Sequence, residues 1–311
     1  MEKIKPIFTE NFVPICFSAN DKYIPLLSVE LESIIDHSSE NKNYDIVILT
    51  TEICDENKFR LLSQIKHHPN FSIRFFNVGS VVYGYDFYLD SRLTNTKYSS
   101  EIYFRILAPT LMDSYDYVIF CDADLVFLED ASKLLDFDYS KNLIGAVRDY
   151  EGIANCYNNN YERTKYRISE LGIKAFDNYF VSGVLVFNIK KFNEKFTEKE
   201  LLELAVSKKW SQYDQDLLNF ICKDDVKIID AKFDFVEDIE NIYHSLPSNL
   251  LAEYEESEKS PVIIHYSGNR KPWINITSKY SKYFWGYAEK SPFSTKLKEL
   301  RKLDWFLKIL I

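Results

Sequence analysis

Glycine is scarce in this chain, with 8 in 311 residues against an average near 7%. Neither G-x-G-x-x-G nor G-x-x-x-x-G-K-[ST] occurs, which excludes a glycine-rich phosphate loop of either common kind. The five cysteines, at 16, 54, 121, 156 and 222, are odd in number and form no C-x-x-C pair. They are read as reduced thiols, and the protein is expected to be cytoplasmic. No apolar run approaches the ~20 residues of a membrane span, and the opening Met1–Ile7 segment lacks the apolar stretch of a signal peptide. Positive charge is also in deficit: the net charge of -9 speaks against nucleic acid as a partner. From Arg270 onward, however, ten Lys/Arg face three Asp/Glu, so a basic tail follows an acidic body. Such a tail suggests an anionic partner, with a membrane surface as one candidate.

What is present fits an α/β protein. Hydrophobic residues make up 46% of the chain, enough for a buried core. Short apolar runs at Val13–Ser18, Ile46–Leu49 and Ile73–Phe76 read as strands. They alternate with helical patterns over Lys22–His37 and Asp55–Ile65, the latter with Asp55 as N-cap, which is the signature of a parallel sheet with crossover helices. Val78–Lys97 reads as a mobile loop, Ser99–Leu107 as a helix and Asn155–Lys165 as a polar surface excursion. Further strands are expected at Tyr117–Cys121, Leu143–Val147, Val184–Phe187, Val226–Ile229 and Val262–Ile264, and helices at Thr197–Lys208 and Gln215–Ile221.

The Tyr117–Cys121 run leads straight into Asp122-Ala123-Asp124. In an extended chain, side chains at i and i+2 point the same way, so the two carboxylates converge. Ligand sites in parallel sheets lie at the carboxyl ends of strands. A divalent cation relieves the repulsion of two such carboxylates and would neutralise a diphosphate leaving group. The plainer reading is a solvated acidic triplet. A phosphatase motif of the D-x-D-x-[TV] type, with Val126 in the last place, is a rival. At the end of a later strand, His265 can offer an imidazole nitrogen to the same ion. Gly268 allows close approach to a phosphate, and Lys271 supplies a point charge. A lone histidine is more often structural; its grouping with Gly268, Lys271, Pro272 and Trp273 favours a site.

Six segments together resemble glycosyltransferase family 8, retaining enzymes that include bacterial lipopolysaccharide galactosyl- and glucosyltransferases and glycogenin. They are Phe17–Tyr23, Tyr103–Leu107, Phe120–Asp124, Tyr179–Leu185 with Asn188, Tyr213–Leu217 with Asn219, and His265–Trp273. The resemblance implies a GT-A nucleotide-sugar transferase fold, a mixed, mostly parallel sheet flanked by helices, over residues 1–275. A basic aromatic tail follows over 276–311. It implies Mn²⁺, with Mg²⁺ as the alternative, held by Asp122, Asp124 and His265. For the UDP-sugar donor it implies contacts from Ala19, Asn20, Asp21, Tyr23, Arg105, Asp122, Ala123, Asp124, Gly183, Gly268 and Lys271. Asp214 and Gln215 match the pair that lines the sugar and are the catalytic candidates, and Asp149 matches an acceptor-side carboxylate. Plainer readings stand beside several of these: a helix start for Asp214 and Asp216, an ion pair for Arg105, tight packing for Gly183. Asn20, Lys22 and Val181 depart from the family pattern, and Val181 leaves the donor sugar open.

The resemblance therefore implies a retaining, UDP-sugar-dependent hexosyltransferase. Its acceptor would be a glycan or glycolipid such as lipopolysaccharide or another cell-surface polysaccharide. The alternatives are a nucleotide-sugar-binding protein without transfer activity and a sugar nucleotidyltransferase. Retention is compatible with double displacement, for which Asp214 has the charge and Gln215 does not, or with front-face attack, which needs no side-chain base and is favoured. Phe293–Ile311 reads as a basic amphipathic helix, either resting on the inner face of the cytoplasmic membrane or docked on the body or a second subunit.

Overall fold

The computed structural model describes residues 3–89, 99–158, 160–237, 239, 242–273 and 278–302. Among them are nine strands: β1 (Phe12–Ser18), β2 (Asn43–Thr50), β3 (Phe71–Asn77), β4 (Tyr117–Cys121), β5 (Leu125–Phe127), β6 (Ile144–Arg148), β7 (Phe180–Asn188), β8 (Val226–Ile228) and β9 (Ile263–His265). Seven form one sheet in the order β3-β2-β1-β4-β7-β6-β8. Pairings among β3, β2, β1 and β4 are parallel, as is β6 with β8, while β7 runs antiparallel to both its neighbours. The central strands are largely apolar because both faces are covered. Val13, Ile15 and Phe17 of β1 pack on one side with Ile119 and Cys121 of β4. Cys16, Val118 and Phe120 pack on the other.

The chain winds outward from β1 through β2 to β3, then returns to β4 on the far side of β1. A crevice opens at such a reversal, at the carboxyl ends of β1 and β4. The Ile24–Asp36 helix begins just after β1. Pro25 sits in its first turn, where no amide is needed, and Ile24, Leu27, Leu31 and Ile34 face the core.

The predicted strands and most helices are present, with several corrections. The helix at Asp55 starts with that residue inside it, and Cys54 occupies the cap position. The Ser100–Leu107 segment is a 3₁₀ helix. Part of the expected loop is ordered: Gly79–Val82 is a helical turn, and Phe87 stacks on Tyr103 at 4.9 Å. Residues 90–98 of that loop lie outside the described residues. The polar excursion is instead two helices, Tyr150–Tyr157 and Tyr161–Ser169, with Asn160 capping the second by accepting from the Arg163 amide. Most of residues 155–165 stay at the surface as expected, while Arg167, farther along the second helix, is buried. Strand β5 was not anticipated. It pairs antiparallel with β9, so that Leu125 lies opposite His265.

The basic end docks on the body as far as it is described. Tyr287, on the Ser281–Lys290 helix, bonds His37 at 3.0 Å, and Lys290 pairs with Asp36 at 3.4 Å. The next helix spans Ser294–Lys302, and Phe293 and Leu297 are buried in the core. The apolar face of this segment is therefore already covered. The rest of the predicted amphipathic stretch, 303–311, lies outside the described residues. No described helix is long and apolar enough to cross a membrane. All five cysteines are free, and only Cys54 is exposed.

Candidate active site

Each acidic side chain of the motif is placed by backbone pairing on both sides. Asp122 donates its amide to the Gly183 carbonyl of β7 at 2.8 Å, and Asp124 accepts from the Tyr266 amide at 3.1 Å. The β5–β9 ribbon thereby brings His265 against the pair. Its Nε2 lies 3.5 Å from Asp124 Oδ1 and 3.8 Å from Asp122 Oδ2. Ligand atoms of these three residues lie within 4.8 Å of one another, and Asp124 Oδ1 is buried without a hydrogen-bond partner. Two carboxylates and an imidazole converging on an orphaned oxygen fit a divalent cation.

The cations nearby are arranged around the same carboxylates. Arg105 is 4% exposed and bridges two aspartates, with Nη2 at 2.6 Å from Asp122 and Nε at 2.8 Å from Asp214. It also donates to the Ser182 carbonyl. The structural ion pair and the site residue are thus the same arginine. Lys271 closes on Asp124 from the opposite side. Burial pulls its ammonium down to about 8, against the attraction of Asp122. Burial pushes the Asp214 carboxyl up to about 6, an effect Arg105 opposes and Asp122 reinforces. Burial disfavours the charged imidazole of His265, but Asp234 and then Asp122 and Glu30 outweigh it, so the group is shifted up.

These residues line one cavity of about 220 Å³, which includes Ala19, Asn20, Tyr23, Arg105, Asp122, Ala123, Asp124, Gly183, Asp214, Gln215, His265, Gly268 and Lys271. Asp21 does not line it. Its carboxylate accepts from the Cys54 amide at 2.9 Å and from Asn57 at 3.0 Å, and so pins the turn after β1 to the start of the Asp55–Gln64 helix. Gly268 has φ 59°, a left-handed turn that a side chain would strain. Asp149 lies in a second cavity of about 310 Å³, which shares Val181, Gln212, Gln215, Ser267 and Gly268 with the first.

Gln215 stands at the junction. Its amide nitrogen donates to Asp149 at 3.1 Å and to the Tyr179 hydroxyl at 3.2 Å, while its oxygen accepts from the Ser182 amide at 3.2 Å. Asp216 does begin the helix: it accepts from the Gln212 amide and the Tyr179 hydroxyl, both at 2.7 Å. Asp214 instead faces the cavity. Three contributors were missed from sequence. Tyr179 links Asp216 to Gln215, Arg167 reaches Asp149 at 3.4 Å, and Asp234 meets His265 Nδ1 at 2.7 Å. Tyr179 fell within a recognised segment, but nothing in the spacing around Arg167 or Asp234 singles them out.

The chain is similar in sequence and in fold to known glycosyltransferases. The chain is 26% identical over 282 residues to glycosyltransferase GlyF of Streptococcus pneumoniae serotype 4, covering 88% of this chain and 61% of GlyF. It is 23% identical to lipopolysaccharide 1,2-glucosyltransferase of Escherichia coli K12, covering 87% of this chain and 75% of that enzyme. Among solved structures, the WbbM bifunctional glycosyltransferase superposes with a TM-score of 0.84 at 28% identity, covering 96% of this chain and 53% of WbbM. This chain thus spans little more than half the length of some of its relatives. The galactosyltransferase LgtC shares the fold, with a TM-score of 0.71 at 21% identity over 90% of this chain and 96% of LgtC. The mixed, mostly parallel sheet is accordingly the GT-A fold. The profile of glycosyl transferase family 8 matches residues 14–277, and the chain belongs to that family.

Proposed function

We propose that this protein is a retaining, metal-dependent hexosyltransferase that moves glucose or galactose from a UDP-sugar to a glycan or glycolipid acceptor, such as lipopolysaccharide or another cell-surface polysaccharide. The observation that carries the reading is the pair of cavities joined at Gln215: one holds the Asp122–Asp124–His265 cluster with Arg105 and Lys271, the other Asp149. Relatives named as a lipopolysaccharide 1,2-glucosyltransferase and a 1,3-galactosyltransferase support the hexose assignment. Asp122, Asp124 and His265 would hold Mn²⁺, or Mg²⁺ in its place; when bound, the ion supplies charge neutralisation for the departing diphosphate. Ala19, Asn20 and Tyr23 line the nucleoside end, with Asp21 bracing the turn, and Lys271 offers its ammonium to the phosphates. Asp214 and Gln215 border the sugar, and Asp149 faces the acceptor.

The side chains favour front-face attack. The Gln215 oxygen is neutral and already accepts a hydrogen bond, and the Asp214 carboxylate is ion-paired with Arg105, which lowers its nucleophilicity. A UDP-sugar panel with Mn²⁺, followed by UDP release and by nuclear magnetic resonance of the product anomer, tests the reading. One donor should be turned over with its anomeric configuration kept. Asp124→Ala should lower the rate at least about 10³-fold. Inversion would sink the retaining assignment, pyrophosphate release would indicate a nucleotidyltransferase, and tight binding without turnover would indicate a binding protein.

A further inference from the structure

Of the three groups assigned to the ion, only His265 must also be in the right tautomer, since only one of its two neutral forms presents a lone pair toward the aspartates. Asp234 Oδ1 lies 2.7 Å from Nδ1 of that imidazole. A carboxylate accepts, so the proton sits on Nδ1 and the lone pair on Nε2, the nitrogen that faces Asp122 and Asp124. Asp234 is itself fixed. It is 4% exposed, and its Oδ2 accepts from the Val184 amide at 3.0 Å. The preceding residue, Gly183, accepts from the Asp122 amide. One short stretch of β7 therefore anchors both a carboxylate ligand and the group that orients the imidazole. Gly183 also leaves the room for it. A Cβ there would lie 2.6 Å from His265 Nδ1 and 3.1 Å from Asp234 Oδ2, so the bare glycine forms the slot in which the ring and its partner meet.

We propose that Asp234 is a positioning residue of the metal centre: it holds His265 in the Nδ1–H tautomer and aims Nε2 at the ion, in a slot that Gly183 keeps open. The inference rests on Asp122, Asp124 and His265 being the ligands. It goes beyond that ligand set by assigning the orienting carboxylate and by giving Gly183 a steric role in place of a sugar contact. Carboxylates behind metal-bound histidines typically contribute 10–100-fold in metal affinity.

The test is Mn²⁺ binding by the full chain, read from the paramagnetic resonance signal of the free ion without donor or acceptor. Asp234→Asn, which keeps shape but loses the charge and the strong acceptor, should weaken binding about 10–100-fold. Gly183→Ala, which leaves Asp234 in place but fills the slot, should weaken it in the same direction. In the unsubstituted protein, raised in pH until the ¹⁵N shifts show a neutral imidazole, the remaining proton of His265 should sit on Nδ1; this measurement needs no variant to fold. A folded Asp234→Asn protein that binds Mn²⁺ as tightly as the parent would overturn the proposal, even if its melting temperature fell. So would an Nε2–H tautomer. Asp124→Ala separates the two levels: loss of binding there with normal binding by Asp234→Asn refutes only the positioning role, whereas normal binding by Asp124→Ala refutes the ligand set and the positioning role with it.

Discussion

At the scale of single residues, two titratable groups that flank the cluster are shifted in opposite directions, and each predicts a loss as pH rises: of UDP affinity for Lys271 and of stability for Glu30. Lys271 is held near 8 by burial, so its ammonium is charged below that pH and neutral above it. If it binds the diphosphate, UDP affinity should fall by up to about tenfold per pH unit above 8. Lys271→Arg should flatten that slope; calorimetric titrations at pH 7 and pH 9 that agree for the parent protein would remove Lys271 from the phosphate site. Glu30 lies on the first helix, wholly buried, with neither oxygen in a hydrogen bond of ordinary geometry. Burial drives its carboxyl well above the usual range, and Asp122 adds to this, while the Leu125 amide and His265 oppose it. Because the folded value is raised, Glu30 contributes its full stability below the ordinary carboxylate range and loses it as pH rises through the folded value. Glu30→Gln, a mimic of the neutral acid, should therefore melt higher than the parent by roughly 2–5 °C at pH 8, and by less at pH 5. An equal difference at both pH values would argue against a raised Glu30.

At the scale of elements, the site depends on how the Tyr213–Cys222 helix begins. Tyr213 has φ 51°, a left-handed conformation that costs a residue with a side chain about 1–2 kcal/mol. That turn sends Asp214 toward Arg105 and Gln215 toward the junction of the cavities, while Asp216 secures the Gln212 amide and Tyr179. Asp216→Ala strands the buried Tyr179 hydroxyl and removes the acceptor of the Gln212 amide. It should cost about 1–3 kcal/mol, read from the urea midpoint, and lower kcat through misplacement of Gln215. Mn²⁺ affinity should stay unchanged, because the ligands sit on other elements. A loss of Mn²⁺ affinity as large as the loss of kcat would show that the helix start and the metal cluster are coupled.

At the scale of the molecule, the reversal of strand order beside β1 locates the cleft, and the C-terminal helices brace the helix that follows β1 from the far side. This placement changes how a membrane role must be tested. A truncation at Tyr287 would remove Phe293 and Leu297 from the core. Cutting after Lys302 removes only residues 303–311 and keeps the exposed Lys296, Lys298, Arg301 and Lys302. If Trp305, Phe306 and their apolar neighbours anchor the protein, co-sedimentation with phosphatidylserine vesicles should drop severalfold after this cut and fall with salt. Equal sedimentation of both forms would exclude a terminal anchor.

The sequence alone determined the alternation of strands and helices, the order of the family's segments and the identity of the acidic pair. These are encoded in local periodicity and in residues that sit next to one another or at fixed offsets. Lys271 and Gly268 were legible for the same reason, since they follow His265 within one turn. The tertiary structure alone decided that Arg105 joins Asp122 to Asp214, that Asp21 braces a turn outside the cavity, and that the polar stretch around 155–165 belongs to two helices, the second of which carries a buried Arg167. It likewise decided that Asp234 stands behind His265, 31 positions away in the chain, with Gly183 of β7 against the imidazole ring. The physical reason is that burial, charge partners and steric room are set by strands that meet across the sheet, and a carboxylate's neighbours in the chain do not reveal which imidazole or guanidinium the fold will bring against it.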